Sequence, residues 1–371
     1  MGACLDKSDT TSLSVSRKKK ERVSSDISID NPRISLRDFI KKGKIGTGTT
    51  STVFLVEKED TGKNYAMKVM KRSIKYKKDT LDIKSERLIL EKVRYPFVVG
   101  LHYAFQQDYT LYLILELANG GDLFNHIQKT KGLSEDHCRF YAAEILCGLE
   151  FLHQNGIVYR NLKPEDVLLD KDGHIKLSDF GLARSMEEIT TTFCGDPYYM
   201  APEIITGDKQ TYAIDLWSYG ILIYEIIAGE APFKGDSPKG ILKSVLNNTI
   251  SMPDKFSEDA RDLICRLLSP NPKDRIGSKG SSEIKNHSFF KSIDWGRIEA
   301  REYPAPYIPQ LISDSDVLNL PAEDLDNPVD KTYNQSKQSL IDGNLSNFYF
   351  NANDCSGAQN ITKGDNYQNC P

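Results

Sequence analysis

What this 371-residue chain lacks narrows its class before any motif is read. Its seven cysteines, at positions 4, 138, 147, 194, 265, 355 and 370, form no C-x-x-C pair, which removes the usual signal for a zinc site. An odd number of them, in a sequence with no secretory signal, reads as free thiols in a reducing cytosol. No apolar run is long enough to span a bilayer, and "GILIYEIIAG" (Gly220 to Gly229) is expected as a helix buried on all sides. There is no excess of positive charge: a formal net charge of −4 gives no general case for nucleic-acid binding. No internal repeat occurs. What is present is ordinary for a globular protein, 39% hydrophobic and 27% charged residues, in a length sufficient for two lobes.

Composition divides the chain. Residues 1–32 are rich in Ser and Lys and poor in large apolar groups, so disorder is the expectation there. From Phe39, short β-branched segments follow one another: "KIGTGTTSTVFLVEK", then the turn "EDTGK", then "NYAMKVMK". A helical stretch, "DIKSERLILEKV", precedes two more strands around "VVGLHYAF" and "LYLILEL". After the connector "ELANG" helices dominate, with Tyr141, Ile145, Leu149 and Leu152 on one helical face. Beyond "HSFFKSIDW" the chain turns rich in Pro, Asp and Asn. The expected class is α+β: a small β-rich lobe at about 39–117, a helix-rich lobe at about 118–290, and an extended tail over 291–371.

Several short motifs carry chemistry. "GTGTTS" (Gly46 to Ser51) lies between two strands, not between a strand and a helix, so it reads as a hairpin over phosphates or as a plain tight turn. Glycine there permits positive φ and lets backbone N–H groups approach oxygens. Lys68 sits among apolar strand residues: either an edge-strand surface lysine, or a buried ammonium that needs a partner such as Glu86. "YRNLKPEDV" (Tyr159 to Val167), "SDFGLAR" (Ser178 to Arg184) and "APE" (Ala201 to Glu203) then follow in order.

From about Phe39 to Phe290 this ordered set resembles the eukaryotic protein kinase domain. The resemblance implies a two-lobed fold that uses ATP and Mg2+. Lys68 would hold the α- and β-phosphates and pair with Glu86, under a hairpin containing Gly46 and Gly48. Asp179 would chelate magnesium, and Lys163 would touch the γ-phosphate. Val53, Ala66 and Leu168 would sandwich adenine, with Leu115 as gatekeeper and backbone bonds from Glu116 and Ala118. Tyr159, Phe180, Leu90 and Leu101 match the stacked hydrophobic spine, Glu203 would pair with Arg275, and Asp215 would brace the catalytic loop.

"TTTFCGDPYYMAPE" and "NHSFFKSIDWGRIEAREYPAPYIPQL" are similar to the activation segment and tail junction of the AGC group of Ser/Thr kinases. Thr192 would then be phosphorylated by an upstream kinase and ordered against arginines such as Arg160. "LSNFYF" resembles the tail's hydrophobic motif through Phe348 and Phe350, although Leu345 replaces its first aromatic and Tyr349 its phosphorylatable residue. "NLPAEDL" lacks the tail's Phe-Asp pair. Asp122, Glu165 and Glu225 match positions that recognise arginine in protein substrates, and otherwise read as solvated surface charge.

Four positions depart from the family. Ser51 replaces the third hairpin glycine. Asn161 replaces the catalytic aspartate; an amide orients a hydroxyl but takes no proton, and general-base assistance is worth about 10²–10⁴-fold. Asp166 replaces the metal-binding asparagine, and its carboxylate remains a good ligand for a hard cation. Asp196 replaces a threonine and is expected beside Asn161 and Lys163. The sharp reading makes Asp196, or secondarily Asp166, a displaced carboxylate in a kinase of lowered activity. The bland one is a pseudokinase, an ATP-occupied scaffold or switch. Residues 1–32 read first as a charged cytoplasmic tail; "MGACLDKS" and "RKKKER" also offer membrane contact through acylation at Gly2 and Cys4, against which Asp6 departs from the pattern.

Overall fold

The computed structural model describes residues 33–48, 51–71, 77–189, 191–311, 317 and 348–355. The N-terminal segment "MGACLDKS", the basic run "RKKKER" and tail residues 318–347, including "NLPAEDL" and Leu345, lie outside the described residues.

The small lobe begins with β1 (Phe39–Thr47), β2 (Ser51–Lys58) and β3 (Asn64–Lys71), then α1 (Lys77–Lys92), β4 (Leu101–Gln107) and β5 (Thr110–Leu115). Val, Thr, Tyr and Phe suit these strands because branched and aromatic side chains pack on a pleated surface. Antiparallel pairing gives the order β1-β2-β3-β5-β4, and the β2–β3 turn uses Gly62 at φ 65°, where a Cβ would be strained. Period-2 alternation sorts the two faces. Tyr65 and Met67 of β3 join Phe39, Val56, Tyr103, Phe105, Tyr112 and Ile114 in an aromatic cluster. The opposite face supplies Met70, Ala104, Leu111, Leu113 and Leu115, which form one core with Ile89, Leu90 and Val93 of α1. Lys68, two residues before Met70, is on this second face. Strand parity therefore sets where its charge must go.

The large lobe contains α2 (Leu123–Thr130), α3 (Glu135–Gln154), the short strands β6 (Ile157–Val158), β7 (Val167–Leu169), β8 (Ile175–Leu177) and β9 (Arg184–Ser185), then α4 (Pro202–Thr206), α5 (Ala213–Ala228), α6 (Pro238–Asn247), α7 (Glu258–Leu267), α8 (Ser282–Lys285) and α9 (Trp295–Glu299). β6 pairs β9 and β7 pairs β8, so the segments on either side of "YRNLKPEDV" and "SDFGLAR" are clamped together. Serine caps start three helices: Ser134, Ser237 and Ser257 accept from the N–H of His137, Gly240 and Ala260. α5 is buried from Ala213 to Ile227, as "GILIYEIIAG" leads one to expect. A Cβ at its Gly220 would stand 2.8 Å from the Leu267 Cβ, so glycine lets α5 and α7 approach.

The tail returns to both lobes. Tyr307 stacks on His126 at 4.3 Å, and Arg301 meets Asp170 at 2.5 Å. β10 (Phe350–Asn351) pairs antiparallel with β4, becomes the sixth strand and covers that edge. Phe348 and Phe350 are buried in the α1-facing core; Tyr349 points the other way, and its hydroxyl accepts from the Ile34 N–H at 3.2 Å.

Arg275 and Glu203 form a buried bidentate pair in the large lobe, with contacts of 2.8 and 3.1 Å. Removing one partner strands the other in a low-dielectric interior. Glu203→Ala is expected to lower the unfolding free energy by about 3–5 kcal/mol in urea titrations. The same deletion at exposed Glu230, which pairs with Lys234, is expected to leave the midpoint unchanged.

Candidate active site

The site is assembled around a buried cation. Lys68 Nζ lies 2.6 Å from Glu86 Oε1 and 2.8 Å from Asp179 Oδ1. Only 8% of Lys68 is exposed, so the surface-lysine reading does not hold. Burial works to lower its pKa, yet the charges of Glu86 and Asp179 outweigh this and raise it. Burial raises Glu86 in spite of Lys68, whereas the Lys68 charge overcomes burial and lowers Asp179. Asp179 takes φ 48°, a strained value for a residue with a Cβ, and the next residue, Phe180, is fully buried. Phe180 packs edge-on to Tyr159 at 5.2 Å, and Leu90 and Leu101 lie in the same core.

The loop from Tyr159 is held from beneath. Buried Asp215 accepts from the N–H groups of Tyr159 (2.9 Å) and Arg160 (2.8 Å) and lies 2.7 Å from His153 Nε2. Arg160 itself sits at φ 63°, and its Nε donates to the Leu182 carbonyl at 2.7 Å. The next side chain, Asn161, faces the two acidic residues. Its Nδ2 donates to Asp166 Oδ2 at 2.6 Å and reaches Asp179 Oδ2 at 3.5 Å. Lys163 Nζ stands 3.9 Å from Asp166 Oδ2. Burial, reinforced by the Asp179 charge, pushes Asp166 up to about 8. Asp166 and Asp179 thus present two hard oxygen donors on either side of one amide, a donor set that fits a magnesium ion.

Asp196 is turned differently from the expectation. Its Oδ1 accepts from the Tyr198 N–H at 3.0 Å. It lines a small cavity with Asn161 and Lys163, but among the described residues it hydrogen-bonds neither side chain. The reason is local: Asp196 opens a turn whose carbonyl accepts from Tyr199 and Met200, and the side chain caps that same turn.

The pocket walls follow from strand register. Val53 pairs with Lys68 and also faces Gly46; Ala66 pairs with Leu115, and Leu168 with Lys176. Neither Gly46 nor Gly48 takes positive φ, contrary to the expected use of glycine; Gly48 N–H instead closes the turn on the Ser51 carbonyl at 2.8 Å. Thr49 and Thr50 lie outside the described residues. In the connector the Glu116 N–H is already committed to Gly100, so only its carbonyl can serve a ligand, and Ala118 is half-buried.

The acidic positions divide by role. Asp122 is the N-cap of α2, accepting from the Asn125 N–H at 2.7 Å, a structural duty that sequence reading missed although Asp before a helical run signals it. Glu165 is exposed, whereas Glu225 is buried and accepts from the Tyr199 hydroxyl at 2.5 Å. Burial pushes Glu225 up to about 7, and Glu165 and Asp196 add in the same direction. Thr192 is half-buried, and its carbonyl accepts from Gln210 at 2.9 Å. Phe348 and Phe350 flank a contact sequence reading also missed: Arg87, next to Glu86, donates to the Tyr349 carbonyl at 3.3 Å and pairs with Glu91 at 2.9 Å.

Residues 39–290 match the protein kinase domain family. The chain is 40% identical over 304 residues to a cAMP-dependent protein kinase catalytic subunit of Dictyostelium discoideum, covering 81% of this chain and 47% of that protein. It is 39% identical to the Saccharomyces cerevisiae serine/threonine-protein kinase YPK1, covering 85% of this chain and 49% of the relative. It is 42% identical to human ribosomal protein S6 kinase alpha-1, covering 75% and 39%. The chain thus spans half or less of the length of these three relatives.

Glu225 yields a pH prediction. Its carboxyl moves from 4.5 to about 7 on folding, so the folded state holds a proton that the unfolded state releases. Wild-type stability must therefore fall, relative to Glu225→Gln, as pH rises from 4.5 to about 7, and level off above. Urea denaturation across this range should show equal stabilities at the acid end and a difference on the order of 3 kcal/mol at the alkaline end.

Proposed function

The chain belongs to the protein kinase family, in its AGC group, and from that membership we propose that it transfers the γ-phosphoryl group of ATP to serine or threonine in basic protein substrates. The observation that carries this reading is the convergence of Lys68, Glu86, Asp179, Asp166 and Asn161 at one point of the cleft. Phosphoryl transfer depends mostly on positioning and electrostatics, and those parts are assembled.

Each residue has a task. Lys68, fixed by Glu86, holds the non-transferred phosphates, while Val53, Ala66 and Leu168 enclose the base. Asp166 and Asp179 would hold Mg2+, which neutralises charge on the phosphates when bound. Lys163, 3.9 Å from Asp166, would contact the transferred group. The substrate oxygen forms its bond to phosphorus as the bond to the ADP oxygen breaks, and the hydroxyl proton must leave to a base. Asn161 cannot accept it. Asp166 is tied to the Asn161 amide and directed to the metal side, which leaves Asp196, in the same cavity as Asn161 and Lys163, as the proton acceptor. Glu165 and Glu225, with Asp122 beside them, are the carboxyl groups offered to substrate arginine, whose charge would favour their ionised forms against the burial that raises them, and Thr192 is the site for an upstream kinase.

One observation favours a second reading, an ATP-binding switch without transfer: the side chain at position 161 is an amide, and it is turned to Asp166. A radiolabel assay with an arginine-rich Ser/Thr peptide separates the two. Wild type is expected to exceed the Lys68→Met background, and Asp196→Asn to lower kcat by about 10²-fold with KM for ATP within about twofold. Wild-type signal at background, with nucleotide still bound, would establish the switch instead. Full activity in Asp196→Asn would remove Asp196 from the proton-accepting role.

A further inference from the structure

The geometry points to Asn161 as a positioning residue: its amide holds the Asp166 and Asp179 carboxylates together, so positions 161 and 166 have exchanged as a matched donor–acceptor pair. The role given to this pair rests on the kinase reading above, but the pairing does not.

Asp166 and Asp179 are two acidic side chains that meet at one amide, Asp166 almost fully buried and Asp179 open to solvent. When both are ionised they repel, and the buried member bears most of that cost unless a donor or cation stands between them. Lys68 is committed to Glu86 and to the Oδ1 of Asp179. Lys163 stands at 3.9 Å from Asp166, beyond hydrogen-bond distance. Among the described residues, the Asn161 amide is the one side-chain donor within hydrogen-bond distance of the Asp166 carboxylate, at 2.6 Å, and the same nitrogen reaches the facing Asp179 oxygen at 3.5 Å. Asp215 and the β6–β9 pair hold the loop that carries it, so this nitrogen is held in place from below.

A consequence runs against intuition. Restoring the family's aspartate at position 161 alone does not repair the site. It deletes the only such donor and puts a third carboxylate between two others. Restoring both family residues re-forms one donor and one acceptor, with the polarity reversed and the net charge unchanged. Asn161 and Asp166 therefore constrain each other, and their substitutions are expected to be strongly non-additive.

The test is a double-mutant cycle on the full chain, read by thermal midpoint in EDTA. Asn161→Asp is expected to lower the midpoint by several degrees in the wild-type background, but by less than about one degree in the Asp166→Asn background. If Asn161→Asp does not fold while the double variant does, the coupling is demonstrated outright. Equal shifts in the two backgrounds, or failure of both variants to fold, would overturn the pairing. A second arm adds Mg2+ with a non-hydrolysable ATP analogue. A positioning role predicts that the deficit of Asn161→Asp shrinks there, because the cation takes over the separation of the carboxylates; a purely structural role predicts an unchanged deficit and would overturn the assignment. Absence of any analogue-induced shift in wild type would count against the kinase reading alone, leaving the EDTA arm to decide the pair.

Discussion

One buried ammonium organises this protein. Lys68 lies on the α1-facing side of a central strand, where an isolated charge would be prohibitively costly. Two carboxylates offset that cost, and they come from different places: Glu86 from the helix packed on the sheet, Asp179 from the loop after β8. Satisfying one charge therefore fixes the helix against the sheet and the "SDFG" loop against both. Phe180 completes the arrangement by filling the core behind Asp179 while Asp179 itself turns to the cleft.

Much of this was legible in the sequence, and the reasons for the exceptions are physical. Strand segments, the buried helix and the order of motifs follow from local composition and periodicity. Lys68 was ambiguous because its local pattern fits an edge strand equally well; only the pairing of β3 with both β2 and β5 puts it inside. The side-chain direction of Asp196 was not legible, since a carboxylate at the start of a turn can cap that turn or face the cleft, and family spacing points only to the second. Asp122 shows the same limit: its position is compatible with substrate recognition, yet its carboxylate is taken by the backbone N–H and the side-chain amide of Asn125 in its own helix.

Contacts spanning most of the chain were invisible for another reason. The Tyr349 hydroxyl meets the Ile34 N–H across 315 positions, and Arg87 meets the Tyr349 carbonyl across 262. No periodicity links such residues. They arise because β10 adds to an exposed sheet edge, and strand alternation then sends Phe348 and Phe350 to one face and Tyr349 to the other. The side chain of Arg87, adjacent to Glu86, is thereby enclosed by the returning tail. Docking of the tail and the orientation of α1 share one residue.

The exchange at 161 and 166 illustrates why a fold can tolerate what its chemistry cannot ignore. An amide facing a carboxylate satisfies one donor and one acceptor whichever residue supplies which, and with the carboxylate ionised the total charge of the pair is −1 in either order. Packing, hydrogen bonding and net electrostatics of the loop are nearly indifferent to the swap. The location of the charge is not. In the proposed reaction, moving the carboxylate from 161 to 166 shifts it from the side where a substrate hydroxyl would lose a proton to the side where two acidic residues would meet a cation. On that reading the site is richer in metal ligands and poorer in bases, while Lys68 keeps its contacts with Glu86 and Asp179. A loop altered this way keeps every structural reason to fold as a kinase. Its reactivity then turns on whether a carboxylate from the activation segment can reach the abandoned position.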